Sequence, residues 1–138
     1  MEIPYQDKSN YLKGLLIVAK KDKQLADSER KIIRKIAERL GFAPDFYEET
    51  LKNLLFNEYI LETPIKFAER KIAESFIEDG LRLAFSDEKG TDSEIDWLRA
   101  TALANNLNDT WFSNRLLNYK NITDIVNTNS DFAIFSML

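Results

Sequence analysis

The chain has 138 residues, 44% of them apolar, which is the size range of one domain built on a single hydrophobic core. It holds no cysteine and no histidine, which excludes thiol chemistry, disulfides, the usual structural zinc ligands and imidazole acid/base catalysis. Residues 1–40 carry ten Lys/Arg against six Asp/Glu, about +4, within a formal net charge of −4, so the remainder is about −8; this asymmetry bears on partners rather than on fold.

The first residues, Met1-Glu-Ile-Pro-Tyr-Gln-Asp7, form neither a basic leader nor the start of an apolar stretch. The longest apolar run, 15–19, is too short to span a bilayer, and a soluble cytoplasmic chain is expected. Apolar residues recur at three- and four-residue spacing almost throughout, interrupted by only four glycines and three prolines. The predicted fold is therefore all-α, with about seven helices.

A first helix is predicted from about residue 9, with Tyr11, Leu12, Leu15, Leu16, Val18 and Ala19 on its buried stripe, ending in the loop Lys20-Lys21-Asp22-Lys23. A second covers about 28–40, with Ile32, Ile33, Ile36, Ala37 and Leu40 inward, and Gly41 suits the left-handed position past its end. Pro44 suits the first turn of a third, whose inward positions are Phe46, Tyr47, Leu51, Leu54 and Leu55. After an ambiguous connector, Thr63 as N-cap and Pro64 at the first position predict a long amphipathic helix reaching about residue 85. Its core positions are Phe67, Ile72, Ala73, Phe76, Ile77, Leu81, Leu83 and Ala84, and Gly80 marks a bend or a close helix crossing.

Residues 93–105 form the next predicted helix, with Trp97, Leu98, Ala102 and Leu103 on its apolar side. Asn108 or Asp109 caps a further one containing Trp111, Phe112, Leu116 and Leu117, and a turn is expected at 123–126. The apolar tail 131–138 either docks on the core or serves as a binding segment, because an exposed apolar strip of that length is a liability.

One stretch occurs twice. Asp22-Lys-Gln-Leu-Ala-Asp-Ser-Glu29 returns sixty-five positions later as Asp87-Glu-Lys-Gly-Thr-Asp-Ser-Glu94, and at that offset Leu16, Ala19, Arg34 and Ala37 match Leu81, Ala84, Arg99 and Ala102. The repeat spans approximately 10–55 and 65–118, with 119–138 as a C-terminal extension. Without a flexible linker between the copies, residues 1–138 are expected to form one domain of two pseudo-repeated halves sharing one core.

The repeated carboxylates have two readings. Thr91 and Glu94 make a capping-box pattern, and Glu29 makes half of one with Asp27 as N-cap. Asp22 and Asp87 stand near C-terminal helix ends, where the helix dipole disfavours a carboxylate. Either Asx-type turns account for them, or Asp22 with Glu29 and Asp87 with Glu94 converge across short loops as oxygen ligands for a hard cation, Ca²⁺ or Mg²⁺. The loop from Asp87 is no EF-hand, since Lys89 occupies its third position and glycine is missing from its sixth.

Lys20, Lys21, Lys23, Arg30, Lys31, Arg34, Lys35 and Arg39 gather on or beside the second helix. They form either a solvated face, with Asp27, Glu29 and Glu38 intermixed, or a contact for nucleic-acid phosphate or an anionic membrane. No nucleic-acid fold signature accompanies them, which favours the solvated face. Trp97, Trp111 and Phe112 fit core spacing. Asp79, Asp87 and Glu94 cannot be set across a cleft from helical position alone. With no phosphate loop or nucleophile elbow present, neither catalysis nor a small-molecule substrate is expected.

Leu16-Ile-Val-Ala-Lys-Lys-Asp22, Leu25, Glu29 and Ile36-Ala37, with Phe76-Ile-Glu-Asp79, Leu83-Ala-Phe-Ser-Asp87, Glu94 and Leu98, resemble the tellurite-resistance TerB-like family, which includes the membrane-proximal domain of a DnaJ-type co-chaperone. The resemblance covers roughly residues 10–118. It implies an all-helical, non-enzymatic stress-response module with protein partners, some at the cytoplasmic side of a membrane, and with acidic clusters as divalent-cation sites. Lys23 and Glu88 stand where the family pattern has glycine, and Gly90 where it has an aliphatic residue. The alternative drawn from the residues alone is an anionic-surface binder working through the basic second helix.

Overall fold

Helical periodicity governs nearly all of the residues that the structure, a computed structural model, describes: 3–20, 27–56, 63–86, 92–121 and 132–138. In chain order they form α1 (Tyr5–Lys20), α2 (Asp27–Leu40), α3 (Pro44–Phe56), α4 (Arg70–Ala84), α5 (Asp92–Ala104), α6 (Asp109–Asn121) and a final 3-10 turn (Ala133–Met137). No strand occurs among the described residues, and the all-α class is as the sequence led one to expect. None of the described helices is long and apolar enough to cross a membrane.

α4 lies at the centre, packed on α1, α5, α6 and the C-terminal turn. Two glycines allow that density. A methyl on Gly14 of α1 would meet Phe76 Cζ at 2.5 Å, and one on Gly80 would meet Leu98 Cδ2 at 2.6 Å. Gly80 therefore marks a close crossing of α4 with α5, inside an uninterrupted helix. Phe76 is fully buried and is surrounded by the rings of Tyr11, Phe67 and Trp97, with centroids at 5.3, 5.2 and 6.1 Å.

Thr63 and Pro64 do not start a helix. Residues 63–69 are non-helical, and α4 begins at Arg70 behind Glu69, whose backbone is extended and whose side chain makes no cap. Tertiary contacts override the local start signal here. Ile65 is buried and Phe67 half-buried, while the backbone around them is bonded by distant side chains. Phe67 N–H donates to Asn105 Oδ1 at 2.8 Å, Asn105 Nδ2 donates to the Ile65 carbonyl at 2.7 Å, and Ala68 N–H donates to the buried Asp7 carboxylate at 3.2 Å. An extended segment whose polar groups are satisfied this way has no need of helical hydrogen bonds. At the other end of the same contact, Asp7 sits in the first turn of α1, which starts one turn earlier than expected.

Helix ends follow the sequence more closely. Gly41 takes φ +97°, with its N–H on the Glu38 carbonyl and Phe42 N–H on that of Ala37, both at 3.0 Å, the hydrogen-bond pair of a Schellman cap. α5 ends in the same way: Asn106 takes φ +62°, with its N–H on the Leu103 carbonyl and Leu107 N–H on that of Ala102, again at 3.0 Å. These two caps are sixty-five residues apart, as are the starts of α1 and α4, of α2 and α5, and of α3 and α6. Asn108 caps α6, its Oδ1 accepting Thr110 N–H at 2.6 Å.

Three expected core residues are exposed: Phe46, Leu103 and Leu117. The neighbouring positions that do face the core are Tyr47 and Leu51 in α3, Leu98 and Ala102 in α5, and Phe112 and Leu116 in α6. The displaced residue in each case adjoins one of these in sequence and so lies about 100° around the helix from it. Phe46 instead stacks on Phe42, with centroids 5.4 Å apart. The side chains of Leu54 and Leu55 and the turn expected at 123–126 lie outside the described residues.

Candidate functional site

The acidic junctions join α1 to α2 and α4 to α5. α1 closes at Lys20 and α4 at Ala84, where Ser86 Oγ donates to the Leu83 carbonyl at 2.7 Å. Asp22, Asp87 and Thr91 lie outside the described residues, so only the helix side of each junction is placed. On that side Glu29 and Glu94 are the third residues of α2 and α5, and they are 1% and 0% exposed, whereas Asp27 and Asp92 beside them face solvent. First-turn carboxylates are favoured by the partial positive charge of the helix N-terminus. Their complete burial could not be read from the capping pattern. Among the described residues no three His, Cys, Asp or Glu side chains gather as a metal-holding group.

The basic run divides into parts. Lys21, Lys23 and the side chain of Lys20 are outside the described residues. Arg30, Lys31, Arg34 and Lys35 all face solvent from α2, as does Arg39. Arg34 Nε is 3.5 Å from a Glu38 carboxylate oxygen, an exposed pair worth little. Lys35 and Arg39 are turned to the C-terminal tail, the ammonium lying 5.8 Å from the centroid of Phe132 and the guanidinium 4.4 Å from that of Phe135.

That tail is docked, which decides between the two expectations for it. Phe132, Ile134 and Phe135 are buried in the main core cluster. Its anchor is Asp79, in the middle of α4 and 1% exposed. Asp79 Oδ1 accepts Ala133 N–H at 2.7 Å, and Oδ2 accepts Ile134 N–H at 3.1 Å together with a short hydrogen bond from the Tyr11 hydroxyl. Burial raises the Asp79 pKa from 3.8 to about 6, against the lowering effect of Tyr11, the two backbone donors and Arg82. Burial, reinforced by the Asp79 charge, also lifts the Tyr11 pKa well above its usual 10, so this hydroxyl remains a donor.

The sequence did carry a signal for Asp79. It lies on the stripe 72, 76, 79, 83, where every other member is apolar and buried. Nothing local could say that its partners lie in the tail.

Beside the docked turn runs a groove of about 510 Å³, lined among others by Lys71, Glu74, Glu78, Trp111, Arg115 and Met137. Arg115 Nε is 3.0 Å from Glu78 Oε1 and its guanidinium lies 5.5 Å from the Trp111 centroid, while Tyr119 donates to Glu78 Oε2 at 3.0 Å. Trp97 and Phe112 are core residues as their spacing suggested, but Trp111 is half-buried at the groove edge. No protein-family model matches the chain, and neither a curated protein nor a solved structure does.

Proposed function

We propose that the chain is a non-catalytic, cytoplasmic accessory module of the TerB-like kind, which binds protein partners and holds a divalent cation at its duplicated acidic junctions. The observation that carries this reading is the matched burial of Glu29 and Glu94, at 1% and 0% exposure, at one register in two helices. A carboxylate that only caps a helix needs no such burial. Both carboxylates have partners within the chain; the reading adds a hard cation shared with Asp22 in one junction and with Asp87 in the other. Two carboxylates completed by carbonyls and water make a weak site for Ca²⁺ or Mg²⁺. Lys21 and Lys23 weaken the first junction further, so the second is the better site. A chain without cysteine has no thiol with which to reduce or covalently trap tellurite.

A second reading, an anionic-surface binder, is favoured by the exposure of Arg30, Lys31 and Arg34 along α2. Its weakness is that Lys35 and Arg39, on the same helix, are engaged with rings of the tail. Charge reversal separates the two. In a cross-linking pull-down the first reading expects Asp87→Lys to lose the partner that the native chain and Arg34→Glu both retain. Co-sedimentation with acidic vesicles or duplex DNA that weakens with salt and disappears in Arg34→Glu would establish the second reading instead.

A further inference from the structure

We propose that the cleft between α2 and α4 that seats the C-terminal turn is a peptide-recognition site, held in cis by residues 132–138 and open to a partner segment of the same pattern: phenylalanine, one spacer, an aliphatic residue, phenylalanine. The proposal rests on the reading above for its partner being a protein, and it names the surface where that partner is met.

The contacts of the turn are those of a bound peptide. Its first two backbone donors, Ala133 N–H and Ile134 N–H, end on the side chain of Asp79, which recognises main chain and hence any segment able to form a first helical turn. Its side chains supply the selectivity. Phe132 is covered by the Arg82 guanidinium at 4.2 Å and the Lys35 ammonium at 5.8 Å, Phe135 by the Arg39 guanidinium at 4.4 Å, and Ile134 is fully buried. Cation–ring contacts of this kind fix aromatic side chains without requiring a purely apolar pocket.

The seat also differs from an ordinary core interface in what it exposes when empty. Asp79, Arg82, Lys35 and Arg39 are charged groups that water can solvate, so departure of the turn uncovers a cleft of mixed character. The cleft continues past the turn as well: the adjoining groove, with Lys71, Glu74, Trp111 and Arg115, lies beside Met137 and is not filled by the tail. A partner segment longer than residues 132–138 therefore gains contacts that the cis segment lacks. The tethered tail competes at a high effective concentration, so the native chain shows an attenuated affinity for any segment in trans.

The test uses the full-length chain and a fluorescent peptide of residues 131–138. Phe132→Ala/Phe135→Ala weakens the cis occupant and leaves Asp79, Arg82, Lys35 and Arg39 in place. Fluorescence anisotropy should show the peptide binding this variant about tenfold or more tightly than it binds the native chain. Binding should be lost when Asp79→Asn is added, or when both phenylalanines of the peptide are replaced by alanine. Equal affinity for variant and native chain, or no binding to a folded variant, overturns the proposal. So does a variant that loses its helical circular dichroism, because the turn is then an integral part of the core. Cation binding at the junctions involves none of these residues, so its success or failure is scored separately.

Discussion

Asp79→Ala is expected to loosen the seating of the C-terminal turn and to lower the free energy of unfolding by about 2–4 kcal/mol at pH 7. The substitution leaves the buried Tyr11 hydroxyl and the N–H groups of Ala133 and Ile134 without their acceptor. Each stranded donor costs about 1–3 kcal/mol. The sum is reduced because the native carboxylate is itself held at a cost, its pKa raised by burial from 3.8 to about 6.

The sign of the pH dependence follows from that direction. A folded-state pKa above the unfolded value means that the native protein holds this proton more tightly. The protonation-linked part of the stability that Asp79 contributes is fully present below about pH 4 and is lost as pH rises through about 6. A shift of roughly two units corresponds to about 3 kcal/mol over that window. Asp79→Ala should therefore be more damaging at pH 4 than at pH 7, and its stability curve should lack this decline. Urea unfolding of both proteins at the two pH values measures the difference, and identical pH slopes would contradict the role given to Asp79.

Phe76→Ala should be more costly still, about 3–5 kcal/mol. Its ring fills the space over Gly14 and meets Tyr11, Phe67 and Trp97. Gly14 has no side chain with which to close the void, so α1 would have to move toward α4 for the cavity to collapse. Phe46→Ala is the control: a residue of the same type, but 45% exposed and stacked only on Phe42, should cost under about 1 kcal/mol. Chemical denaturation that ranked the two variants together would show that the core is not centred on Phe76.

The features legible in the sequence were those decided within one or two helical turns. The apolar stripes of α1 and α2, the left-handed glycine at Gly41 and the cap at Asn108 needed no information from elsewhere. Thr63-Pro64 misled because it too is a local signal, outweighed by the hydrogen bonds that Phe67 and Ala68 N–H donate to Asn105 and Asp7, which lie some forty and sixty residues away. Asp79 was visible as a carboxylate on an apolar stripe, yet its meaning depended on a tail more than fifty residues later. Glu29 and Glu94 were legible as first-turn acids, while their burial depends on which helices pack over the junctions.

A thermal-shift titration with Ca²⁺, Mg²⁺, Mn²⁺ and Zn²⁺, set against monovalent salt of equal ionic strength, tests the cation-holding junction most directly. Because a ligand that binds only the folded state stabilises it by mass action, a concentration about one hundred times Kd adds about 2.7 kcal/mol. The account predicts that at least one of these ions raises Tm at millimolar concentration, and that the rise shrinks in Glu94→Gln more than in Glu29→Gln. A Tm that none of the four ions raises, or a rise that both variants leave intact, would contradict it.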